Sequence, residues 1–234
     1  MVFNAENQAK ICVVIPAHNE AASVARIIQA ARKYIDIIYV VDNKSTDETA
    51  SVARDSGAHI IHYSEKLGYG AAQYAGQQAA ISSGFDYILQ LDADGQHNPI
   101  YIPELLKVAL TGDYDIVLGS RFLNNKPPNL SFIRKAGITF LSAVVSFLGH
   151  TKITDVTSGF KVYKASSLKK LNRPSDIHPC PEQMLEIARK GMKIKEVPVD
   201  MLVRNTGRSY FTLLRYVLYP FRVTWAVVKV MLFR

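Results

Sequence analysis

Apolar residues in the first half of the chain form short continuous runs, separated by longer segments in which apolar positions recur with a helical period. Runs rich in β-branched residues predict strands, and the periodic segments predict helices. The predicted strands are Ile11–Ile15, Ile35–Val41, His59–Tyr63, Tyr87–Leu91 and Asp115–Leu118. The predicted helices are Ala21–Lys33, Thr46–Ser56, Tyr69–Ser83 and Ile102–Leu110. Ser45 and Glu48 have the spacing of a capping box at the start of the second helix. This alternation indicates an α/β fold in which helices cover both faces of a mostly parallel sheet.

The second half of the chain is less regular. A Pro/Asn loop over Leu123–Ser131 precedes an apolar helix expected over Ala136–Gly149, and three prolines predict a long loop over Asn172–Pro181. A helix over Glu182–Lys190 and a final strand over Lys193–Val199 follow. We therefore expect one α/β domain over residues 1–209 and a separate helical tail over residues 210–234.

Composition narrows the class of protein. The chain has 234 residues, 48% of them hydrophobic and 21% charged, which is typical of a globular protein and excludes a disordered one. Two cysteines, Cys12 and Cys180, cannot form a disulfide framework; Cys12 lies in an apolar run, so we expect a buried thiol and a reducing compartment. The first ten residues lack the apolar core of a secretion signal. No uncharged apolar run approaches the roughly 20 residues that cross a bilayer, so we expect no spanning helix.

Two acidic residues follow the fourth predicted strand, at the edge where parallel sheets bind their ligands. Asp92 and Asp94 are separated by one residue, and carboxylates this close suit Mg²⁺ or Mn²⁺ bound together with substrate phosphates. The plainer alternative is an Asp-Gly turn whose acids are solvated.

Polar residues also follow three other predicted strands. Asn19 and Glu20 come after the first strand, Asp42 after the second and Arg121 after the fifth. Together they predict a site for a nucleotide and its phosphates. Each has a plainer interpretation: Asn19 as a helix cap, Asp42 as a turn residue, and Arg121 as the partner of a strand-end aspartate or a solvated surface group.

These strand ends carry a set of motifs that is more specific than any member. The motifs are VVIPAHNE at 13–20, VVDNKSTDET at 40–49, KLGYGAA at 66–72, LDADGQH at 91–97, GSRF at 119–122, DVTSGFK at 155–161, EVPV at 196–199 and RNTG at 204–207. The set resembles the glycosyltransferase family 2 pattern on the GT-A fold, in the branch that contains dolichyl-phosphate mannose synthase and bacterial polyprenyl-phosphate glycosyltransferases. The resemblance covers roughly residues 10–210.

The resemblance implies roles for individual residues. It implies a nucleoside pocket formed by Pro16, His18, Glu20 and Asp42. It implies a ribose and diphosphate edge at Asp92 and Ala93, ligands for Mg²⁺ or Mn²⁺ at Asp94 and Gln96, and diphosphate contacts at Arg121 and Arg204. His18 stands where the pattern often has tyrosine, and Lys161 where it often has arginine.

The C-terminal tail gives a second signal. Lys and Arg exceed Asp and Glu by 28 − 20 = 8 charges, and the tail contributes to this excess because it contains no acidic residue. Arg208, Arg215, Arg222 and Lys229 are seven residues apart, so they lie near one face of a helix whose remaining surface is apolar and aromatic. Such a helix fits in-plane binding to an anionic membrane, although Pro220 should kink it. Packing on the domain or on a second copy is the alternative. Nucleic acid is disfavoured because no recognition motif accompanies the stripe.

These observations lead to a functional hypothesis. We expect an inverting, metal-dependent glycosyltransferase that moves a sugar from a nucleotide diphosphate sugar to a polyprenyl phosphate, acting as a peripheral protein at the cytoplasmic face of a membrane. Arg134 and Lys135, before the apolar segment, are candidates to hold the acceptor phosphate or else a plain surface pair. A separate membrane protein that flips or uses the product and a second copy of the chain are the further partners considered.

Two rival functions share the same fold. The first is transfer to a saccharide hydroxyl, for which Glu182 is the candidate general base. The second is a catalytically idle membrane-bound subunit. A nucleotidyltransferase is disfavoured because its usual Gly-rich N-terminal loop is absent.

Overall fold

The structure is a computed structural model that describes residues 9–63, 65, 67–123, 130–176 and 179–202. The predictions for Arg204 and for the tail over residues 210–234 lie outside the described residues.

Seven strands and seven helices make up the described part of the chain. The strands are β1 Ile11–Ala17, β2 Ile38–Asn43, β3 His59–Tyr63, β4 Tyr87–Gln90, β5 Ile116–Ser120, β6 Lys161–Lys164 and β7 Ile194–Pro198. The helices are α1 Ala21–Ala31, α2 Thr49–Asp55, α3 Tyr69–Ser82, α4 Ile102–Thr111, α5 Phe132–Gly149, α6 Ala165–Leu168 and α7 Pro179–Arg189. A 3₁₀ turn over Pro99–Tyr101 leads into α4.

The strands form one sheet in the order β3-β2-β1-β4-β6-β5-β7. All neighbours are parallel except β6, which pairs antiparallel with both β4 and β5. The mostly parallel α/β sheet predicted from the sequence is confirmed. Its one antiparallel strand was missed because Lys161–Lys164 is only four residues long and has lysine at both ends.

Two apolar layers cover the sheet, one on each face. On one face Val13 and Ile15 of β1 pack against α1 and α4; on the other Cys12 and Val14 pack against α3, α5 and α7. Neighbouring residues of a buried strand point to opposite faces, so a continuous apolar run fits this position. The carboxyl ends of the parallel strands lie at one edge of the sheet.

Several boundaries differ from the predicted ones. β2 begins three residues and ends two residues later than predicted, so Asp42 and Asn43 belong to the strand itself. The capping box is wrong: α2 begins at Thr49 without a side-chain cap, and the Ser45 hydroxyl instead accepts a hydrogen bond from the Asn19 backbone N–H at 3.0 Å. α7 begins at Pro179 rather than Glu182, because prolines are tolerated in a first helical turn, where no backbone N–H is needed.

Helix α5 also begins earlier than predicted, at Phe132. The Ser131 hydroxyl accepts the Arg134 backbone N–H at 3.4 Å and caps the helix, so Arg134 and Lys135 lie inside it rather than before it. The 18 residues have a mean hydropathy of 1.4, and 28% of them are buried. By length and composition alone α5 is long enough to cross a membrane, which the shorter predicted segment was not.

The two cysteines are buried free thiols. Burial raises the pKa of Cys12 to about 12 and also raises the pKa of Cys180. The buried thiol predicted at Cys12 is confirmed, and the reducing compartment stays a prediction.

Candidate active site

The edge of the sheet at the carboxyl ends of the parallel strands carries the strand-end residues that the sequence singled out. In the register of the sheet, Ala17 at the end of β1 lies beside Asp42 of β2, and Asp92 follows β4 on the other side of β1. His18 comes directly after Ala17, and its Nδ1 lies 2.9 Å from the Asn43 carbonyl oxygen. The carboxylates of Asp42 and Asp92 and the imidazole of His18 therefore lie at the same edge of the sheet.

Asp92 is held by an aromatic neighbour and by its own backbone. The Tyr69 hydroxyl, at the start of α3, donates to Asp92 Oδ1. Burial, and then the neighbouring Asp92 charge, raise the pKa of Tyr69 well above its ordinary value, so the hydroxyl stays protonated and remains a donor. The Asp92 backbone N–H donates to His97 Nδ1 at 2.9 Å. These contacts fix the carboxylate at the edge.

His97 is buried, and its ring stacks on Phe160 with 5.3 Å between centroids. The backbone of Gly159 lies directly against the side chains of Asp92 and His97. A Cβ added at Gly159 would lie 2.9 Å from Asp92 Oδ2 and 3.0 Å from His97 Cε1, so only glycine lets the 159–161 segment approach this closely. Gly159 of the DVTSGFK motif therefore packs against Asp92 and His97, a contact that the spacing of the motif did not predict.

Asp94 and Gln96 occupy the turn that follows Asp92. Gly95 between them has a φ of +76°, and the Gln96 backbone N–H donates to Asp94 Oδ1 at 3.0 Å. Ala93, between Asp92 and Asp94, is buried against the core, and its role at the ribose and diphosphate edge stays a prediction.

The turn offers a carboxylate and an amide oxygen, which are hard ligands, and both side chains are partly exposed. Mg²⁺ commonly takes only one or two protein carboxylates when phosphates and water supply the rest of its shell. The described residues contain no cluster of three or more His, Cys, Asp or Glu side chains suited to a metal. Asp94 and Gln96 therefore fit a cation that is shared with a substrate, and do not form a closed structural metal site.

The loops after β1 and β2 are tied to each other. The Asn19 side chain accepts the Thr46 backbone N–H at 2.8 Å, and the Glu20 backbone N–H donates to Thr49 Oγ1 at 2.8 Å. Asn19 is thus not the cap of α1, whose N-cap is Glu20. Pro16 is buried within β1, and its role in a nucleoside pocket stays a prediction.

Asp42 is buried, with its side chain 1% exposed. His62 Nδ1, on the adjacent strand β3, lies 2.9 Å from Asp42 Oδ2, and the Ser45 backbone N–H donates to Oδ1 at 3.3 Å. His62 was missed from the sequence, since a histidine in an alternating strand carries no signal of its partner.

Arg121 makes a different contact from any predicted for it. It is buried, and its Nε and one terminal nitrogen each lie 2.6 Å from an oxygen of Asp155, which is fully buried. The same terminal nitrogen donates to Thr157 Oγ1 at 2.6 Å. Neither strand-end aspartate is its partner, and the guanidinium fixes the 154–157 loop to the end of β5. Its role at a diphosphate stays a prediction.

Glu182 is fully buried in the first turn of α7. Its Oε2 accepts the Ser175 backbone N–H at 2.8 Å, and Glu186, one turn later, accepts the Asn172 backbone N–H at 3.0 Å. The Pro-rich loop in turn caps α3, because Asp176 Oδ1 accepts the Ala71 backbone N–H at 2.9 Å. In the structure Glu182 acts as a support for this loop.

The start of α5 lies toward the same edge of the sheet. α7 begins next to Gly70 at the start of α3, where Pro179 would contact an added Cβ, and it ends beside Gly149 at the end of α5. Because α5 and α7 pack together with their ends adjacent, they run in the same general direction, and the first turns of α5 lie toward the site end of α7. Arg134 is partly exposed there and Lys135 is exposed.

A comparison with models of protein families shows which family the chain belongs to. The model of glycosyl transferase family 2 matches residues 12–171, which include the polar residues at all four strand ends discussed above. The chain belongs to glycosyl transferase family 2, and the resemblance stated from its motifs is confirmed.

Two relatives and one solved structure narrow the comparison. The chain is 28% identical over 216 residues to the undecaprenyl-phosphate mannosyltransferase of Micrococcus luteus, covering 86% of each chain. It is 27% identical over 214 residues to the UDP-N-acetylglucosamine–dolichyl-phosphate N-acetylglucosaminyltransferase of Methanococcus voltae, covering 82% of this chain and 85% of the relative. Glucosyl-3-phosphoglycerate synthase from Mycobacterium tuberculosis, solved with Mn²⁺ and UDP, superposes with a TM-score of 0.72 at 21% identity, over 95% of this chain and 80% of the other. The last comparison shows the fold alone.

Proposed function

We propose that the chain transfers a sugar from a nucleoside diphosphate donor to a polyprenyl phosphate, with inversion at the anomeric carbon, at the cytoplasmic face of a membrane. The observation that carries this proposal is the apolar outer face of α5, a helix whose first turns lie toward the candidate site. Two relatives bear the names of transferases for undecaprenyl and dolichyl phosphate, which supports the same acceptor class.

The outer face of α5 exposes large apolar side chains that a water-soluble domain would ordinarily cover. Phe132, Ile133, Phe140 and Phe147 are 84%, 77%, 70% and 80% exposed. Contiguous apolar surface of this kind is typical of a membrane or lipid contact. The basic pair Arg134 and Lys135 lies at the site end of this face. An acceptor with a phosphate head and a polyprenyl tail matches this arrangement of charge followed by apolar surface.

The acceptor chemistry agrees with the burial of Glu182. A phosphate monoester has a second pKa of about 6, so it is already mostly ionised near neutral pH and needs positioning more than a general base. Glu182 is fully buried and bonded to Ser175, so the transfer to a hydroxyl acceptor lacks an exposed base at this position. In our proposal Arg134 and Lys135 bind the acceptor phosphate and offset its charge.

The donor is proposed to lie across the strand ends. Asp42 and His18 would contact the nucleoside, and Asp92, oriented by Tyr69 and His97, would contact the ribose. Asp94 and Gln96 are the residues that would hold Mg²⁺ or Mn²⁺, and such an ion, when bound, offsets the charge that develops on a departing diphosphate. The neighbour glucosyl-3-phosphoglycerate synthase was crystallised with Mn²⁺ and with Mg²⁺, which supports a divalent ion here.

The proposed contact between α5 and the membrane can be tested by replacing exposed aromatic residues of α5 with polar ones. In a Phe140→Gln, Phe147→Gln double variant two exposed aromatic side chains are removed. Burial of one such side chain is worth about 1.5–3 kcal/mol, so loss of two should weaken membrane partitioning by roughly a hundredfold or more. We expect less of the variant to sediment with phosphatidylglycerol vesicles at high salt, and a higher KM for lipid acceptor with nucleotide binding unchanged.

A matched control is Ile100→Gln, which removes an apolar side chain that is 64% exposed away from α5. This variant should sediment like the wild-type chain. Unchanged sedimentation and unchanged lipid KM in the α5 variant would contradict the proposal that α5 contacts the membrane.

A further inference from the structure

Lys161 is a fully buried lysine at the start of β6. Tyr163, two residues further along the strand, packs in the apolar layer with α3 and α7, and alternate residues of a strand share a face, so the Lys161 side chain enters the same layer. Its Nζ has no hydrogen-bond partner among the residues that the structure describes. An ammonium buried without a partner costs folding free energy, and a residue that breaks this rule is typical of a functional site.

Lys161 lies at the end of β6 that is next to the candidate active site. β6 is antiparallel to β4, and Lys161 pairs there with Gln90, two residues before Asp92. Diagonal neighbours of such a pair are about 7–8 Å apart. Gly159, which packs against Asp92 Oδ2, has no side chain that could separate Lys161 from this carboxylate. The two charged residues are therefore neighbours on the same face of the sheet.

The Cys180 thiol, in the first turn of α7, lies within reach of both charges. Burial raises the pKa of Cys180, the Lys161 ammonium opposes this rise, and the Asp92 carboxylate adds to it. The Tyr69 hydroxyl, which donates to Asp92, is in turn affected by Cys180. Lys161 is thus next to a buried cluster that leads directly to the Asp92 carboxylate.

The acidic edge needs positive charge if it is to bind a diphosphate. Asp92 and Asp94 repel such a ligand, and the guanidinium of Arg121 is neutralised by Asp155. At a separation of about 10 Å and an effective dielectric constant of about 20, one positive charge changes the binding of one negative charge by roughly tenfold. Lys161 can act over this distance, because burial keeps salt and water from screening its charge.

We propose that Lys161 is a positioning residue of the donor site, whose buried ammonium offsets the acidic edge and thereby favours ligands that carry a diphosphate. The charge acts through space, from beneath Tyr69 and Asp92, and Lys161 does not touch the ligand. This inference rests on the proposed nucleoside diphosphate donor and adds to it a residue that selects for the charge of the ligand.

The test compares charged and uncharged ligands. Lys161→Met removes the ammonium and keeps the length of the side chain. Isothermal titration calorimetry of the full chain with Mg²⁺ measures binding of UDP, GDP and inorganic pyrophosphate, and saturation-transfer NMR measures uridine and guanosine. We expect the variant to bind the three phosphate ligands about tenfold more weakly and both nucleosides like the wild type. Its Tm should equal or exceed the wild-type value, because an apolar side chain in place of a buried charge is often neutral or stabilising.

Three matched variants separate the charge of Lys161 from its shape. Lys161→Arg keeps a positive charge and should retain most of the affinity for diphosphates. Lys161→Gln removes the charge but stays polar, so it should weaken diphosphates as Lys161→Met does, and it provides the same test if the methionine variant does not fold. Lys164→Met removes the lysine at the other end of β6, which pairs with Tyr87 at the start of β4, and should leave every affinity unchanged.

The outcomes are distinct. Unchanged diphosphate binding in the neutral variants, or an equal loss for nucleosides and diphosphates, would overturn the role of the Lys161 charge. Loss of affinity in Lys161→Arg at a wild-type Tm would do the same. Absence of binding by both nucleoside diphosphates to the wild-type chain would overturn the donor site and this inference with it. Weaker diphosphate binding as expected, without transfer to a polyprenyl phosphate, would support the role of Lys161 and count against the proposed acceptor alone.

Discussion

The ion pair between Arg121 and Asp155 provides the sharpest test of what an arginine at this strand end does. From sequence it is a diphosphate contact; in the structure it binds Asp155 through two nitrogens at 2.6 Å. The two assignments make opposite predictions for single substitutions. Arg121→Met removes the guanidinium and keeps the length of the side chain, and Asp155→Asn removes the charge of its partner and keeps its shape.

The expected magnitude follows from burial. The side chains are 4% and 0% exposed, so solvent screens neither charge. Removing one member of a buried pair leaves an uncompensated charge and costs about 3–5 kcal/mol. For a chain of this size each kcal/mol shifts Tm by about 2–4 °C. Either substitution should therefore lower Tm by roughly 6–20 °C. The double variant should lose less than the sum of the two single losses, since neither charge is left alone.

Differential scanning calorimetry measures the shift, and donor KM is measured well below the lowered Tm. We expect KM to stay within a few-fold of the wild-type value in both single variants. Asp113→Asn is the control: it breaks the exposed ion pair with Lys193, whose side chains are 79% and 62% exposed, and should not change Tm measurably. Arg121→Met with a wild-type Tm and a greatly raised donor KM would refute the structural assignment and favour the diphosphate contact.

Three other predictions concern the metal, the base and the tail. Asp94→Asn should remove most activity and leave Tm unchanged, because a partly exposed acid contributes little to the core. EDTA should remove the activity reversibly. Full turnover in EDTA without divalent ions would contradict the metal role. Glu182→Gln should lower kcat by less than about a hundredfold, the lower end of the effect of a lost general base; a collapse of turnover in the folded variant would favour a hydroxyl acceptor. A chain ending at Ser209 should bind nucleotide yet sediment poorly with anionic vesicles, since it loses three of the four basic residues of the stripe, which together contribute roughly 3 kcal/mol; equal sedimentation of both chains would show that the tail packs elsewhere.

The parts of the fold that depend on local pattern could be predicted from the sequence. Six of the seven strands were expected, because β-branched runs between periodic segments specify parallel strands through burial on both faces. β6 could not be predicted, since Lys161 is fully buried there and lysine in a short segment ordinarily indicates surface. Lys161 is buried because β6 lies between β4 and β5 in the interior of the sheet.

The candidate site, like the fold, could be predicted from the sequence only in part. The clustering of Asp42 and Asp92 could be predicted, because parallel strand ends share one edge. The partners of these residues could not. His62, Asp155 and Ser175 come from other parts of the chain, and each contact depends on three-dimensional packing that no local spacing records.

The measurement that tests the central claim most directly is a transfer assay with the full chain. Nucleoside diphosphate sugars with a labelled glycosyl group are incubated with Mg²⁺ or Mn²⁺ and a short-chain polyprenyl phosphate, and the organic extract is analysed by mass spectrometry. We expect a lipid product that is heavier than the acceptor by one glycosyl residue and depends on the divalent ion, and NMR of the purified product should show the inverted anomeric configuration. Label that stays out of the polyprenyl phosphate with every donor, and instead appears on a saccharide hydroxyl, would contradict it.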